Sequence, residues 1–224
     1  IKSFLPHPSF VKEVNNNAVL PYLTFQYPVT NETFFKNIYK LEPGTWLRVS
    51  KDGHMERKRY WDFSFDATDE SLESYMEQIT VCLKESVAAH KIADVPVGAF
   101  LSGGIDSSFI TALFKPENTF SVGFKEADER FNETDQARRL SEILGFNHHV
   151  RLIGAEEFFG ALPTIQYHLD EPQSNLSTVP LYFLAQLASE HVTVVLSGEG
   201  ADELFGGYES YMRTPHLQKY DKIV

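Results

Sequence analysis

Apolar and polar positions alternate in two different rhythms along this chain, and the change between them divides it. Up to about Trp61 the pattern is mixed: Ala18 to Phe25 has the spacing of a short helix, and Pro43-Gly44 marks a turn. Thr45 to Val49 then alternates like a strand, Asp52-Gly53 is a hairpin turn, and Met55 to Tyr60 completes a hairpin rich in basic side chains. Asp62 to Asp69 reads as a linker, which puts a boundary near residue 63.

Beyond that boundary strands and helices take turns. Leu72, Tyr75, Met76, Ile79, Leu83 and Val87 recur at helical spacing, so a helix is predicted from about Ser71 to His90. Asp94 to Leu101 is a short, β-branched run with the character of a buried strand, and a helix follows from Asp106 to Phe114. Thr119 to Phe124 is the next strand. Glu133 to Leu144 is a helix stopped by Gly145, and His148 to Leu152 is a third strand. Helices near Glu156 to His168 and Val179 to Ser189 lead to a last strand, Val192 to Leu196. This β-α alternation predicts an α/β fold with a doubly wound parallel sheet, whose ligands bind at the carboxyl ends of the strands. No internal repeat or low-complexity tract interrupts it.

Composition narrows the setting. The 224 residues are 42% hydrophobic and 13% aromatic, enough for one sizeable core and part of another. No apolar run approaches the ~20 residues of a bilayer-spanning helix, and Ile1 to Phe10 lacks the order of a signal peptide. Neither membrane insertion nor secretion is expected. The single Cys82 cannot form an internal disulfide, and a cytoplasmic setting with Cys82 as small packing residue fits best. A net charge of -11 argues against an extended nucleic-acid surface. Any polyanionic ligand must therefore be met by backbone amides or by a metal.

Two polar loops follow buried strands. The first, Leu101-Ser102-Gly103-Gly104-Ile105-Asp106-Ser107-Ser108, joins a strand to a helix. Its glycines let the backbone approach a ligand, its amides and the helix's free N–H groups can converge on an anion, and its serines add hydroxyl donors. It is neither a mononucleotide P-loop nor a dinucleotide fingerprint, and Phe100 and Val195 stand where a hydrolase elbow needs glycine. The loop alone is also compatible with an ordinary serine-capped turn. Ser-Gly-Gly-Ile-Asp-Ser resembles the PP-loop of ATP pyrophosphatases, which cleave ATP between its α and β phosphates. GMP, NAD and argininosuccinate synthetases share that loop, so it leaves the acceptor open.

The second loop, Ser197-Gly198-Glu199-Gly200-Ala201-Asp202-Glu203 and on to Tyr208, is the more discriminating. Three carboxylates crowd its glycines. A solvated charged face is the plain alternative, but anions beside a triphosphate require a divalent cation between them, and Mg²⁺ suits oxygen ligands. The segment resembles the asparagine synthetase family, which includes β-lactam synthetase. Phe131 to Thr134 with Ala137-Arg138, Leu144-Gly145, His148-His149, and Asp170-Glu171-Pro172 with Ser177 to Tyr182 resemble further family segments, the last on the acceptor side. Residues 1–62 are similar to the C-terminal part of a class II glutamine amidotransferase domain, and 63–224 to a synthetase domain of the PP-loop ATP pyrophosphatase type.

The resemblance implies ATP contacts at Leu101, Ser102, Gly103, Gly104, Ser107, Ser197 and Gly198, with Val122 on the adenine side. It implies Mg²⁺ at Asp106 and Asp202, and Glu199 forming or using an aspartyl-adenylate. The implied reaction amidates aspartate through β-aspartyl-AMP, with ammonia supplied from glutamine, and family members often pair as homodimers. No cysteine precedes Cys82, and the family's essential lysine lies well past the second loop, so the sequence is read as part of a longer chain. His148 and His149 are expected in structural roles, since adjacent strand residues face opposite ways, and His168, in a helix near Asp170 and Glu171, in a surface or packing role. Two other readings stay open: a related synthetase acting on another acid, and a non-catalytic nucleotide-binding domain.

Overall fold

Ser71, whose hydroxyl accepts from the N–H of Ser74, opens the first long helix and with it the regular part of the chain. The computed structural model describes residues 1–27, 29–64, 68–126 and 132–211. These fall into two compact units, one of 1–70 with 161–176, the other of 71–160 with the described residues from 177 onward.

The first unit holds helix α1 (Asn16–Phe25) and the antiparallel hairpin β1 (Thr45–Val49) and β2 (Met55–Arg59). Asn15 caps α1 by accepting from the N–H of Asn17 at 3.1 Å. Gly44 takes the left-handed conformation (φ 65°) beneath the Trp61 carbonyl, where a Cβ would lie 2.3 Å from that oxygen, so the turn before β1 requires glycine. Asp170 and Glu171 also belong to this unit, paired with Lys2 (2.8 Å) and Lys40 respectively. His168 is exposed, and its carbonyl accepts from Lys2 at 3.2 Å.

The second unit is a parallel sheet of β3 (Val97–Phe100), β4 (Asn118–Phe124), β5 (Asn147–Ile153) and β6 (Val194–Leu196) in the order β5-β4-β3-β6. Helix α2 (Leu72–His90) precedes it. Helices α3 (Ile105–Phe114) and α4 (Thr134–Leu144) connect β3 to β4 to β5, α5 (Ala155–Leu169) starts in this unit and continues into residues 161–176 of the first, and α6 (Thr178–Ser189) leads to β6. Helices α3 and α4 lie on one face of the sheet and α6 on the other. Side chains confirm this. Thr119 hydrogen-bonds Ser141 of α4 at 2.9 Å, whereas its neighbour Phe120, fully buried, packs with Ala188 of α6 and Val192. Adjacent strand residues thus serve two separate cores.

The two histidines of β5 follow the same alternation. His148 Nδ1 meets Thr119 Oγ1 at 2.9 Å on the α4 face, and burial, with Arg138 adding to it, pushes its pKa down to about 4. His149 stacks on Phe120 and His191 on the other face, with Nε2 at 2.9 Å from Asn118 Oδ1. Both serve packing and hydrogen bonding within the sheet.

Some elements differ from the sequence expectation. The two apolar runs before the loops form shorter strands than their lengths suggest. Pro96 has no N–H for a ladder, so pairing starts at Val97, and its partner Val194 is then the first residue of β6. The apolar stripe of α2 is buried only at its end: Val87 packs with Ala99 and Phe114, while Leu72 and Met76 are 70% and 60% exposed. Cys82 is exposed rather than tucked into a core. A 3-10 turn at Lys2–Phe4 and a five-residue helix α7 (Ala201–Phe205) were not expected. Phe131 lies outside the described residues.

Candidate functional site

Strand order reverses at β3, which has β4 on one side and β6 on the other, so the loops leaving β3 and β6 meet side by side at the carboxyl edge of the sheet and border a crevice there. A cavity of about 380 Å³ lies there, wholly within the second unit.

The loop after β3 is held by its own hydroxyls. Leu101, 1% exposed, donates its N–H to Phe120 O at 2.9 Å, and its carbonyl accepts from the buried Ser121 hydroxyl. Ser102 and Ser107 share a hydrogen bond of 2.9 Å between their hydroxyls, Ser102 N–H donates to Ser107 Oγ at 3.2 Å, and Gly104 N–H donates to Ser102 Oγ at 3.2 Å. These bonds curl the backbone around the start of α3, where Gly104 is the N-cap and offers no side chain. The first-turn N–H groups of α3, which have no intrahelical partner, open at the cavity edge where Asp106 and Ser107 line it.

The loop after β6 is shaped similarly. Glu199 N–H donates to Ser197 Oγ at 3.1 Å, Gly200 adopts φ 90°, and α7 begins at Ala201. The two loops touch at Gly198: a Cβ there would lie 3.0 Å from Ser107 N and 3.3 Å from the Asp106 carbonyl carbon. A side chain there would push the two loops apart by a few tenths of an ångström.

Of the residues singled out in the sequence, Leu101, Ser102, Gly104, Asp106, Ser107, Val122, Ser197, Gly198, Glu199 and Asp202 all line this one cavity. Gly103 does not. It turns (φ 90°) against the start of α4, where a Cβ would meet Gln136 Cβ at 2.9 Å and Glu133 O at 3.0 Å, so it fits the loop to the next helix. Ser108 also lies outside the lining, one step further round α3. Sequence reading assigned no site role to Phe100, Ser121, Gly123, Phe124, Asn132, Glu133, Thr134, Leu181, Leu184, Gly200 and Tyr208, which complete the wall, although Asn132 to Thr134, Leu181, Gly200 and Tyr208 lie in segments that resemble the family. Leu181 and Leu184 stand three apart on α6, so their shared face was legible, but not what it would face.

Electrostatically the lining is one-sided. Asp106, Glu133, Glu199 and Asp202 contribute four carboxylates, and no Lys or Arg lines the cavity. Among the described residues no group of three or more His, Cys, Asp or Glu is arranged to hold a metal by itself. Two carboxylates sharing a cavity with anion-binding amides do fit Mg²⁺, which commonly takes one or two protein carboxylates and completes its shell with substrate phosphates and water. Tyr208 donates to Glu203 at 2.9 Å, and that bond, with burial adding to it, pushes the phenol up to about 12. It stays protonated at neutral pH.

A serine-glycine loop with free helix amides thus faces an acidic glycine loop across the switch point of a parallel sheet in an α/β domain. The chain belongs to the asparagine synthase family, whose description matches residues 78–223, and residues 1–61 match a glutamine amidotransferase domain. It is 39% identical to asparagine synthetase (glutamine-hydrolyzing) 1 of Bacillus subtilis over 94% of this chain and 34% of that protein. Asparagine synthetase (glutamine-hydrolyzing) 3 of the same organism is 29% identical over 93% of this chain and 37% of its own length. Amidase chyE of Penicillium rubens is 30% identical over 82% of this chain and 30% of its own. The chain thus spans about a third of the length of these relatives.

Among the described residues no helix is long and apolar enough to cross a membrane.

Proposed function

We propose that the full-length protein containing this segment amidates aspartate to asparagine with ATP, through β-aspartyl-AMP, using ammonia released from glutamine. The observation that carries this reading is the convergence of Asp106, Glu199 and Asp202 with the Ser102–Ser107 loop on one cavity. Residues 1–62 are the tail of the glutaminase domain and 63–224 belong to the synthetase domain.

ATP enters with its phosphates against the first-turn amides of α3 and the loop of Ser102 to Gly104. Ser197, which accepts from Glu199 N–H, keeps its own proton to donate to a phosphate oxygen. Phe120 O accepts from Leu101 N–H and pairing with β3 stops there, so the Val122 N–H and C=O, two residues on, point from the same edge with no strand beside them. That donor-acceptor pair supports base reading at Val122, with Leu181 and Leu184 as apolar walls. Gly103 acts on the nucleotide only by holding the loop.

The β-carboxylate of aspartate attacks the α-phosphorus, the bond to the β-phosphate oxygen breaks, and pyrophosphate leaves. Mg²⁺ held by Asp106 and Asp202 would neutralise charge on the polyphosphate. Ammonia then attacks the acyl carbon, the acyl C–O bond breaks, AMP departs, and Glu199 takes the proton that the nitrogen loses.

Aspartate should stimulate ATP–pyrophosphate exchange by the full-length protein at least about tenfold more than other acids, a preference of about 1.4 kcal/mol. Glu199→Ala should retain exchange and lose amide formation even with ammonium supplied. A second reading, adenylation of another acid, is tested by the same exchange: stimulation by a different acid would replace aspartate with it. ATP binding without stimulation by any acid would leave a nucleotide-binding domain and remove the reaction.

A further inference from the structure

Helix α7 has only five residues, far fewer than a helix needs to hold itself together, yet it carries Asp202. Something outside the helix must fix it. Directly after it the chain reverses: Gly206 adopts φ 69°, and Gly207 N–H donates to the Asp202 carbonyl at 3.0 Å. A Cβ on Gly207 would lie 2.0 Å from Asp202 Oδ1, so the carboxylate rests against the bare Cα of that glycine. The next side chain closes the turn. Tyr208 O–H donates to Glu203 Oε1 at 2.9 Å, and its ring meets Tyr211 edge-on at 5.5 Å. Asp202 and Tyr208 line the cavity, whereas Glu203 does not.

From this arrangement we infer that Tyr208 is a positioning residue, whose hydroxyl tie to Glu203 locks α7 and so aims the Asp202 carboxylate into the cavity toward a divalent cation. The inference rests on the proposed role of Asp202. Glu203 is then a latch acceptor rather than a metal ligand, which accounts for the third carboxylate of the acidic loop. Tyr208, though it lines the cavity, acts on the cation through Asp202.

Mn²⁺ binding, followed by electron paramagnetic resonance with a non-hydrolysable ATP analogue and the full-length protein, tests this without turnover. Losing one hydrogen bond to a carboxylate should weaken Mn²⁺ binding about three- to tenfold in Tyr208→Phe and in Glu203→Ala. Glu203→Gln, which keeps an acceptor oxygen, should stay within about twofold of the unaltered protein. Affinity for the analogue without metal should not change in any of the three. Unaltered Mn²⁺ affinity in Tyr208→Phe, or equal loss in Glu203→Gln and Glu203→Ala, overturns the latch. So does weakened metal-free analogue binding, which would make Tyr208 a nucleotide contact. Should Tyr208→Phe fail to fold, the two Glu203 variants decide alone. Absence of Mn²⁺ binding by the unaltered protein would instead remove the metal role of Asp202, a separate failure.

Discussion

Asp106→Asn in the full-length protein is expected to lower aspartate-dependent pyrophosphate release by about 10³-fold, and Asp202→Asn to lower it to a similar degree. Each change is nearly isosteric, so what is lost is charge. The cavity already holds four carboxylates and no Lys or Arg in its lining. A triphosphate entering it meets repulsion that only a cation offsets, and removing either ligand forfeits several kcal/mol of charge stabilisation at the leaving pyrophosphate. At 1.36 kcal/mol per tenfold, about 4 kcal/mol corresponds to the stated factor. Steady-state pyrophosphate release at saturating Mg²⁺ measures it. A loss below about tenfold in both variants would mean that these aspartates do not share the ion.

Gly198→Ala should have the next largest effect, about 10²-fold on the same rate, with little change in folding. The new methyl group would sit 3.0 Å from Ser107 N and 3.3 Å from the Asp106 carbonyl carbon. Both are backbone atoms, which cannot swing aside as a side-chain tip would, so the two loops must separate by a few tenths of an ångström. Displacements of up to about 1 Å between reacting groups cost about this much. Gly160→Ala is the control, because a Cβ at Gly160 meets nothing within 4 Å and the site is in a helix. That change should leave the rate unaltered and raise stability by about 0.5–1 kcal/mol, read from denaturant unfolding.

The strands and helices of the second unit were legible because each buried strand ends in glycine or a polar cluster and each helix has a marked start or stop. Gly145 shows this: the residue that stops α4 in the sequence takes φ 75° at its C-cap. The two loops were legible for a related reason. Their glycines and carboxylates cluster locally, and parallel topology sends both to the same edge.

What stayed hidden depends on contacts distant in sequence. Leu181 and Leu184 lie about 60 residues past Val122, and nothing local joins them to its cavity wall. Helix α7 was concealed because five residues rich in charge carry no periodic signal. Asp170 and Glu171, similar in sequence to an acceptor-side segment, bond with Lys2 and Lys40 in the first unit, partners that no local pattern announces. Cys82 illustrates the opposite limit: its helical stripe is real, yet α2 uses only the Val87 end of it.

The most direct test of the proposed chemistry is to follow oxygen from aspartate. With aspartate labelled by ¹⁸O in the β-carboxylate, the full-length protein, ATP, Mg²⁺ and ammonium, mass spectrometry of the products shows where the phosphorus–oxygen bond formed. Attack at the α-phosphorus transfers one label into AMP and leaves pyrophosphate unlabelled. Label in inorganic phosphate, with ADP as the nucleotide product, would contradict the account.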